Sequence, residues 1–165
     1  MILAADVGYS PGWAKAAGIL FREWTDEHPE RVVTAHLASP EEYLPGQFYR
    51  RELPALLSVI GPVLLETHTV VIDGYVWLGS ERRPGLGLHL WEALERRIPV
   101  IGVAKTRFQG TPEETEVLRG TSGSPLFVTA VGLSLEEAKG HLKGMAGKHR
   151  LPTLLKEVDR LSRSG

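Results

Sequence analysis

The chain has no cysteine among its 165 residues. That excludes a disulfide framework, a thiolate zinc site and a cysteine nucleophile together. It also has no apolar run near the ~20 residues that span a bilayer, so no membrane partner is expected. Asp6 interrupts the first apolar stretch after a few residues, which argues against a signal peptide. Charge of one sign is also missing. Nineteen Lys and Arg face twenty Asp and Glu, a net charge of -1, so no global basic signature of nucleic-acid binding is present. The expectation is one cytoplasmic, monomeric globular domain covering residues 1–165, because 42% hydrophobic content at this length builds one good core rather than two.

What is present is a change of periodicity. Ile2–Val7, Ala14–Trp24 and Arg31–Leu37 read as three strands separated by turns rich in Pro, Gly and Asp. Phe48–Ile60 then places Leu53, Leu56, Leu57 and Ile60 at helical spacing, with Gly61-Pro62 as a stop. Thr69–Ile72 predicts a strand, Gly85–Arg97 an amphipathic helix, and Pro99–Val103 another strand. Thr111-Pro-Glu-Glu predicts a capped helix running to Leu118. Leu126–Val131 reads as a strand, Ser134-Leu-Glu-Glu as a capping box opening a helix to about Met145, and Pro152–Ser162 as a terminal helix. A meander feeding βα units predicts an α/β fold, a mixed sheet flanked by helices.

In open α/β sheets chemistry gathers at the carboxyl ends of strands. Asp6 and Asp73 each close an apolar run and are followed within two residues by glycine. A lone acid there is costly to bury unless a cation compensates it. Two such acids on neighbouring strands would form a hard-oxygen site suited to Mg2+ or Mn2+. Either alone reads equally as a cap or turn aspartate. Glu52, in the first turn of the predicted helix, is ordinary by itself. Lys105 follows Ile101-Gly-Val-Ala104 directly, where a cation could stabilise charge building on a phosphate. The cations are clumped, at Arg50–Arg51, Arg82–Arg83, Arg96–Arg97, Lys105–Arg107 and Lys148–Arg150. Arg96–Arg97 is expected to sit at the negative end of a helix.

Several ordered blocks resemble the endonuclease V family. Tyr43-Leu-Pro-Gly-Gln-Phe-Tyr-Arg-Arg-Glu52-Leu-Pro-Ala-Leu-Leu57 is similar to its YIPG…FRE.PALL segment, with equal spacing from proline to glutamate. Ala5-Asp6-Val7-Gly8-Tyr9 resembles its DVSY opening and Val71-Ile-Asp73-Gly its VDG strand end. Arg82-Arg-Pro-Gly-Leu-Gly-Leu-His89 and Ile98-Pro-Val-Ile-Gly-Val-Ala-Lys105 resemble its RR.GLASH…IPTIGVAK block, and Arg150-Leu-Pro through Asp159 its YRLPEPTRLAD ending.

This resemblance implies a ribonuclease-H-like fold and a metal-dependent endonuclease. Such an enzyme cuts near deoxyinosine in DNA or inosine in RNA, by attack of metal-activated water. It implies Asp6, Asp73 and Glu52 as holders of Mg2+ or Mn2+, and Lys105 as the contact to the scissile phosphate. Tyr43, Leu44 and Pro45 would be a wedge in the base stack, and Gly46, Phe48 and Gly74 the pocket for the extruded base, since reading a base requires taking it out of the stack. Arg51, Arg82, Arg83 and Arg107 would meet the nucleic-acid backbone, with DNA the favoured partner and RNA the alternative.

The chain departs from the family where Tyr75-Val-Trp-Leu-Gly79 replaces a histidine-bearing DGHG..H pattern, and where Val128 to Glu136 lacks a second histidine. Trp77 would fill part of the cleft there. His89, on an apolar helix face, is read as structural. The departures leave a second reading, a homologue that binds nucleic acid without cutting it.

Overall fold

The computed structural model describes residues 1–38 and 48–164, with only the backbone at position 48. The meander is formed by β1 (Ile2–Ser10), β2 (Trp13–Phe21) and β3 (Arg31–Ala38), paired antiparallel in turn. Beyond it come α1 (Phe48–Ile60), β4 (Thr69–Asp73), a short hairpin of β5 (Trp77–Leu78) and β6 (Arg83–Pro84), α2 (Leu86–Ala93) and β7 (Val100–Ala104). The chain closes with β8 (Glu116–Val117), β9 (Leu126–Val131), α3 (Leu135–Gly144) and α4 (Thr153–Arg163).

Seven strands make one sheet in the order β3-β2-β1-β4-β7-β9-β8, and β1, β4 and β7 run parallel at its centre. Those central strands are apolar on both faces because helices cover both. Strand alternation divides the core in two. Leu3, Ala5, Val70 and Ile72 pack with Leu56, Ile60 and Leu90 of α1 and α2. Ile2, Ala4, Val71, Ile101 and Val103 pack with Leu142 of α3 and Leu154, Leu155 and Val158 of α4. Ser134 caps α3 as read, its side chain accepting the Glu137 N–H at 3.1 Å.

Two predicted helices are corrected. Thr111–Leu118 is not a helix: a single 3-10 turn spans Glu113–Thr115, and Glu116–Val117 then pairs with Phe127 and Leu126. The Thr111 and Thr115 hydroxyls donate to the carbonyls of Phe108 and Pro112, offering the backbone a turn instead of a helix. Val117, 1% exposed, gains a place in the core by extending as an edge strand. Tertiary burial overrides the local start signal.

Gly85–Arg97 is helical only from Leu86 to Ala93. Glu95 and Arg96 are left-handed, at φ 58° and 60°, and the Arg96 N–H donates to the Trp91 carbonyl, a six-to-one closure that ends a helix. Pro99 disfavours a helical Ile98, so the chain must unwind to reach β7. Arg96–Arg97 thus follows the helix instead of forming its last turn, and Arg96 ion-pairs with Glu92 at 3.0 Å.

Candidate active site

The alternation that builds the second core half also builds the site. On β1, Ile2 and Ala4 face α4, so Asp6 is the next residue on that face. Ala5 is level with Ile72 on the parallel neighbour, which brings Asp6 and Asp73 forward together. Asp73 lies beside Val103, and Lys105 continues that face two residues later. Helix α4 packs its Leu154–Leu155–Val158 stripe under these strand ends and adds Asp159 at the rim. One carboxylate oxygen from each of Asp6, Asp73 and Asp159 lies within 4.8 Å of the other two. Lys105 Nζ stands 3.4 Å from Asp73 Oδ2 and 3.5 Å from Asp159 Oδ1. Leu155 and Val158 supply the apolar wall of the cleft.

Helix α4 reaches this close because residue 8 is glycine. A Cβ there would fall 2.1 Å from the Ser162 carbonyl oxygen, a collision with backbone. The Ser162 hydroxyl is 3.2 Å from Asp6 Oδ2 and 2.9 Å from the Asp159 carbonyl oxygen, while the Val7 N–H donates to Asp6 Oδ1 at 2.9 Å. Arg163 closes the outer side, its guanidinium 2.6 Å from Asp159 Oδ2.

The electrostatics are those of a cluster short of positive charge. Burial, then the neighbouring charge of Asp73, raises the Asp6 carboxyl to about 7, against the pull of the Val7 N–H. Burial also raises Asp73, with Lys105 opposing it. Burial works against a charged Lys105, but Asp73, Asp159 and Asp6 outweigh it and raise its pKa. Lys105 therefore stays an ammonium. Three hard oxygen donors in this state suit a divalent cation with oxygen ligands.

Glu52 enters from the opposite side of the sheet on α1. It is 7% exposed and lies outside the tight trio. Burial and the charge of Asp6 raise it to about 8, while the Tyr9 phenol pulls it down. The buried Tyr9 hydroxyl faces Glu52 without a hydrogen bond of ordinary geometry among the described residues, and the Arg51 guanidinium lies 3.8 Å from the centre of its ring. Glu52, Tyr9 and Arg51 thus form a second group behind Asp6.

Other expected site residues fall elsewhere. Gly74 turns the chain after Asp73 with φ +133°, and its carbonyl crosses so close above Gly102 that a Cβ there would lie 2.5 Å away. Arg82 stacks on Trp77 at 4.6 Å and Arg83 is exposed on β6. Arg107 lies over Phe127 and donates to the Thr111 carbonyl. Trp77 does not fill the carboxylate cleft. It donates to the Ala130 carbonyl at 3.1 Å and lines a separate cavity with Thr129 and Leu135. His89 stacks on Tyr49 with ring centres 3.6 Å apart, a packing role. Tyr43, Leu44, Pro45 and Gly46 lie outside the described residues, as does the Phe48 side chain.

Asp159 is the residue that sequence reasoning did not assign. The signal was an acid directly beside the apolar stripe of the terminal helix, at the end of the last resembling block.

The sequence profile of endonuclease V matches residues 1–143. The chain belongs to the endonuclease V family. The endonuclease V of Nostoc punctiforme is 26% identical over 98% of this chain and 81% of its own length. The endonuclease V structure from Streptomyces avermitilis is 26% identical, covers 98% of this chain and 78% of its own, and superposes with a TM-score of 0.70. That of Ciona intestinalis, solved with a 24mer DNA containing an inosine followed by a ribo-adenosine, is 20% identical at TM-score 0.78, covering 98% and 83%. The endonuclease V fold, a ribonuclease-H-like mixed sheet flanked by helices, is the fold of this chain. Among the described residues no helix is long and apolar enough to cross a membrane.

Proposed function

We propose that this member of the endonuclease V family is a Mg2+- or Mn2+-dependent endonuclease that hydrolyses a phosphodiester bond near deoxyinosine, inosine or another deaminated base. The observation that carries this reading is the convergence of Asp6, Asp73 and Asp159 within 4.8 Å, with the Lys105 ammonium against two of them. The DNA in the Ciona intestinalis relative's structure, which contains inosine, supports the substrate class.

Asp6, Asp73 and Asp159 would hold the cation, which when bound lowers the pKa of a water and offsets charge on phosphate oxygens. Lys105, kept charged by the carboxylates, donates to a phosphate oxygen as negative charge accumulates there. Leu155 and Val158 limit water around these groups, which strengthens each charge interaction. Glu52, behind Asp6, holds a proton on its carboxyl at neutral pH until a cation reduces the local negative charge. Tyr43, Leu44 and Pro45 act as the wedge, and Gly46, Phe48 and Gly74 as the base pocket. Arg82, Arg83 and Arg107, which keep exposed surface, meet phosphates, and Arg51 braces Tyr9 from within.

The reading without cleavage rests on two missing histidines. Asp159 adds a hard ligand to the cluster, so the site is not short of donors. The test is incubation of inosine-containing and matched adenosine-containing strands, as DNA and as RNA, with Mg2+ or Mn2+. Cleavage near inosine alone, abolished by EDTA and reduced ~10³-fold by Asp73→Asn, is expected. Binding of the inosine strand with no cleavage in either metal overturns the nuclease reading.

A further inference from the structure

The β1–β2 hairpin turns at the carboxylate end of the sheet and carries an exposed tryptophan that the site does not use. Trp13 is 56% exposed. Burying an indole is worth more than burying most side chains, so an indole left on a tight turn is available to something else. The turn is stiff. Ser10 pairs with Trp13, Pro11 fixes the first corner, and Gly12 takes the second at φ +78°.

Its face follows from register. The pairing runs unbroken from Ile2–Phe21 to Ser10–Trp13, with Asp6 opposite Ala17 and Gly8 opposite Lys15. Ala17, Ile19 and Phe21 belong to the core half beneath α3 and α4, so Lys15 and Trp13 continue on that side. Lys15 verifies it, because its ammonium reaches over the end of α4 to the Ser164 carbonyl at 2.7 Å and the Ser164 hydroxyl at 3.2 Å. Trp13 therefore shares the face of Asp6, Asp73, Lys105 and Asp159. It stands four residues beyond the level of Asp6, ~13 Å along the strand.

Among the described residues that face is exposed next to Trp13. Helix α4 packs on β1 and β2, and on β3 the residues of the same side, Val32, Thr34, His36 and Ala38, are exposed. His36 pairs with Lys15, and Ala38 with Trp13. Arg163, its side chain 70% exposed, pairs with Asp159, and the next residue, Ser164, is the one that Lys15 reaches. The path from the cluster to the hairpin tip thus carries Arg163, Lys15, His36 and Trp13. Basic side chains beside an aromatic platform are the chemistry that holds single-stranded nucleic acid, because every base has a π-face and every linkage a phosphate. One indole among small and cationic side chains is too little apolar surface for a stable dimer.

We propose that this strip, with Trp13 stacking on a base and Lys15, His36 and Arg163 beside the phosphates, binds the single-stranded stretch that flanks the reacting phosphodiester. The proposal rests on the nucleic-acid reading above and extends it to residues other than those expected to form the wedge and base pocket. The experiment is fluorescence anisotropy of labelled inosine-containing single strands in EDTA, which separates binding from cleavage. Trp13→Ala is expected to weaken binding about tenfold and Trp13→Phe much less, with melting temperatures unchanged. The ratio of wild-type to Trp13→Ala affinity falls to one as the strand is trimmed from one end, and not from the other. Lys15→Gln lowers the salt dependence of binding by about one counterion.

Equal affinities of wild type and Trp13→Ala at every strand length, with the wild type binding well, overturn this proposal and leave the nuclease reading standing. A wild type that binds none of the strands overturns this proposal, and overturns the nuclease reading too when cleavage in Mg2+ or Mn2+ also fails. A wild-type dimer that Trp13→Ala converts to monomer in sedimentation assigns the strip to a second copy of the chain and also overturns the proposal.

Discussion

The two faces of the central sheet start from the same kind of residue and end differently. On the α1/α2 side Leu3, Ala5 and Val7 continue from core to strand end without a charge, and the polar group there, Glu52 with Tyr9 and Arg51, is supplied by a helix and a hairpin. On the α3/α4 side the alternation runs Ile2, Ala4, Asp6 and Val71, Asp73, while β7 passes through Val103 to Lys105. The apolar part of each strand fixes how far it reaches under the helices, because sliding it further would bury the charge that ends it. The alternation then delivers whatever follows to a defined face. The chemistry is concentrated on one face because three parallel neighbours change from apolar to charged within two residues of one level.

The comparison can be broken in order of expected effect. Asp159→Asn, on the active face, is expected to lower cleavage ~10³-fold in saturating Mg2+, whereas Glu52→Gln, behind Asp6, costs about tenfold less. Single-turnover rates check this, and the reverse order would place the cation on the α1 side. Leu56→Ala, 1% exposed in the α1 half of the core, should cost about 2–5 kcal/mol in chemical denaturation. Its turnover well below the melting temperature should stay near wild type, which separates a packing face from a chemical one. Lys105→Ala should reduce turnover ~10²-fold with a smaller change in KM.

The smallest effect is a pH signature. Asp6 is raised to about 7 and Glu52 to about 8, above their ordinary unfolded values. Each carboxyl then binds a proton in the folded state that the unfolded chain has released. Their contribution is fully present below the unfolded values near pH 4 and is lost as pH rises through 7 to 8. In EDTA the melting temperature should fall across that window, by a few degrees at ~2–4 °C per kcal/mol. Saturating Mg2+ should flatten the fall, because it binds the ionised cluster. Asp6→Asn should flatten it without metal. An unchanged slope in Asp6→Asn would assign the titration elsewhere.

The meander, the helix with Leu53, Leu56, Leu57 and Ile60, and the capped helix at Ser134 were legible because periodicity and caps are local and agree with the final packing. The placement of Asp6, Asp73 and Lys105 toward strand ends was legible because a charge closing an apolar run is conspicuous. Asp159 was not, since an acid on an amphipathic helix is ordinary until the helix is placed. The predicted helix from Thr111 failed for a related reason. Its start signals were sound, but β9 offered Val117 a partner and a core position that local sequence does not reveal.

What the sequence determined by itself is the set of apolar strands, their alternation and the charges that terminate them, because strand period and charge placement are written residue by residue. Tertiary structure decided which of those charges meet. The approach of α4 over Gly8, which brings Asp159 to Asp6 and Asp73, joins positions more than 150 residues apart in the chain. Only folding sets that distance, because the energy that holds it comes from packing the whole α4 stripe against β1 and β2, not from any motif near either carboxylate.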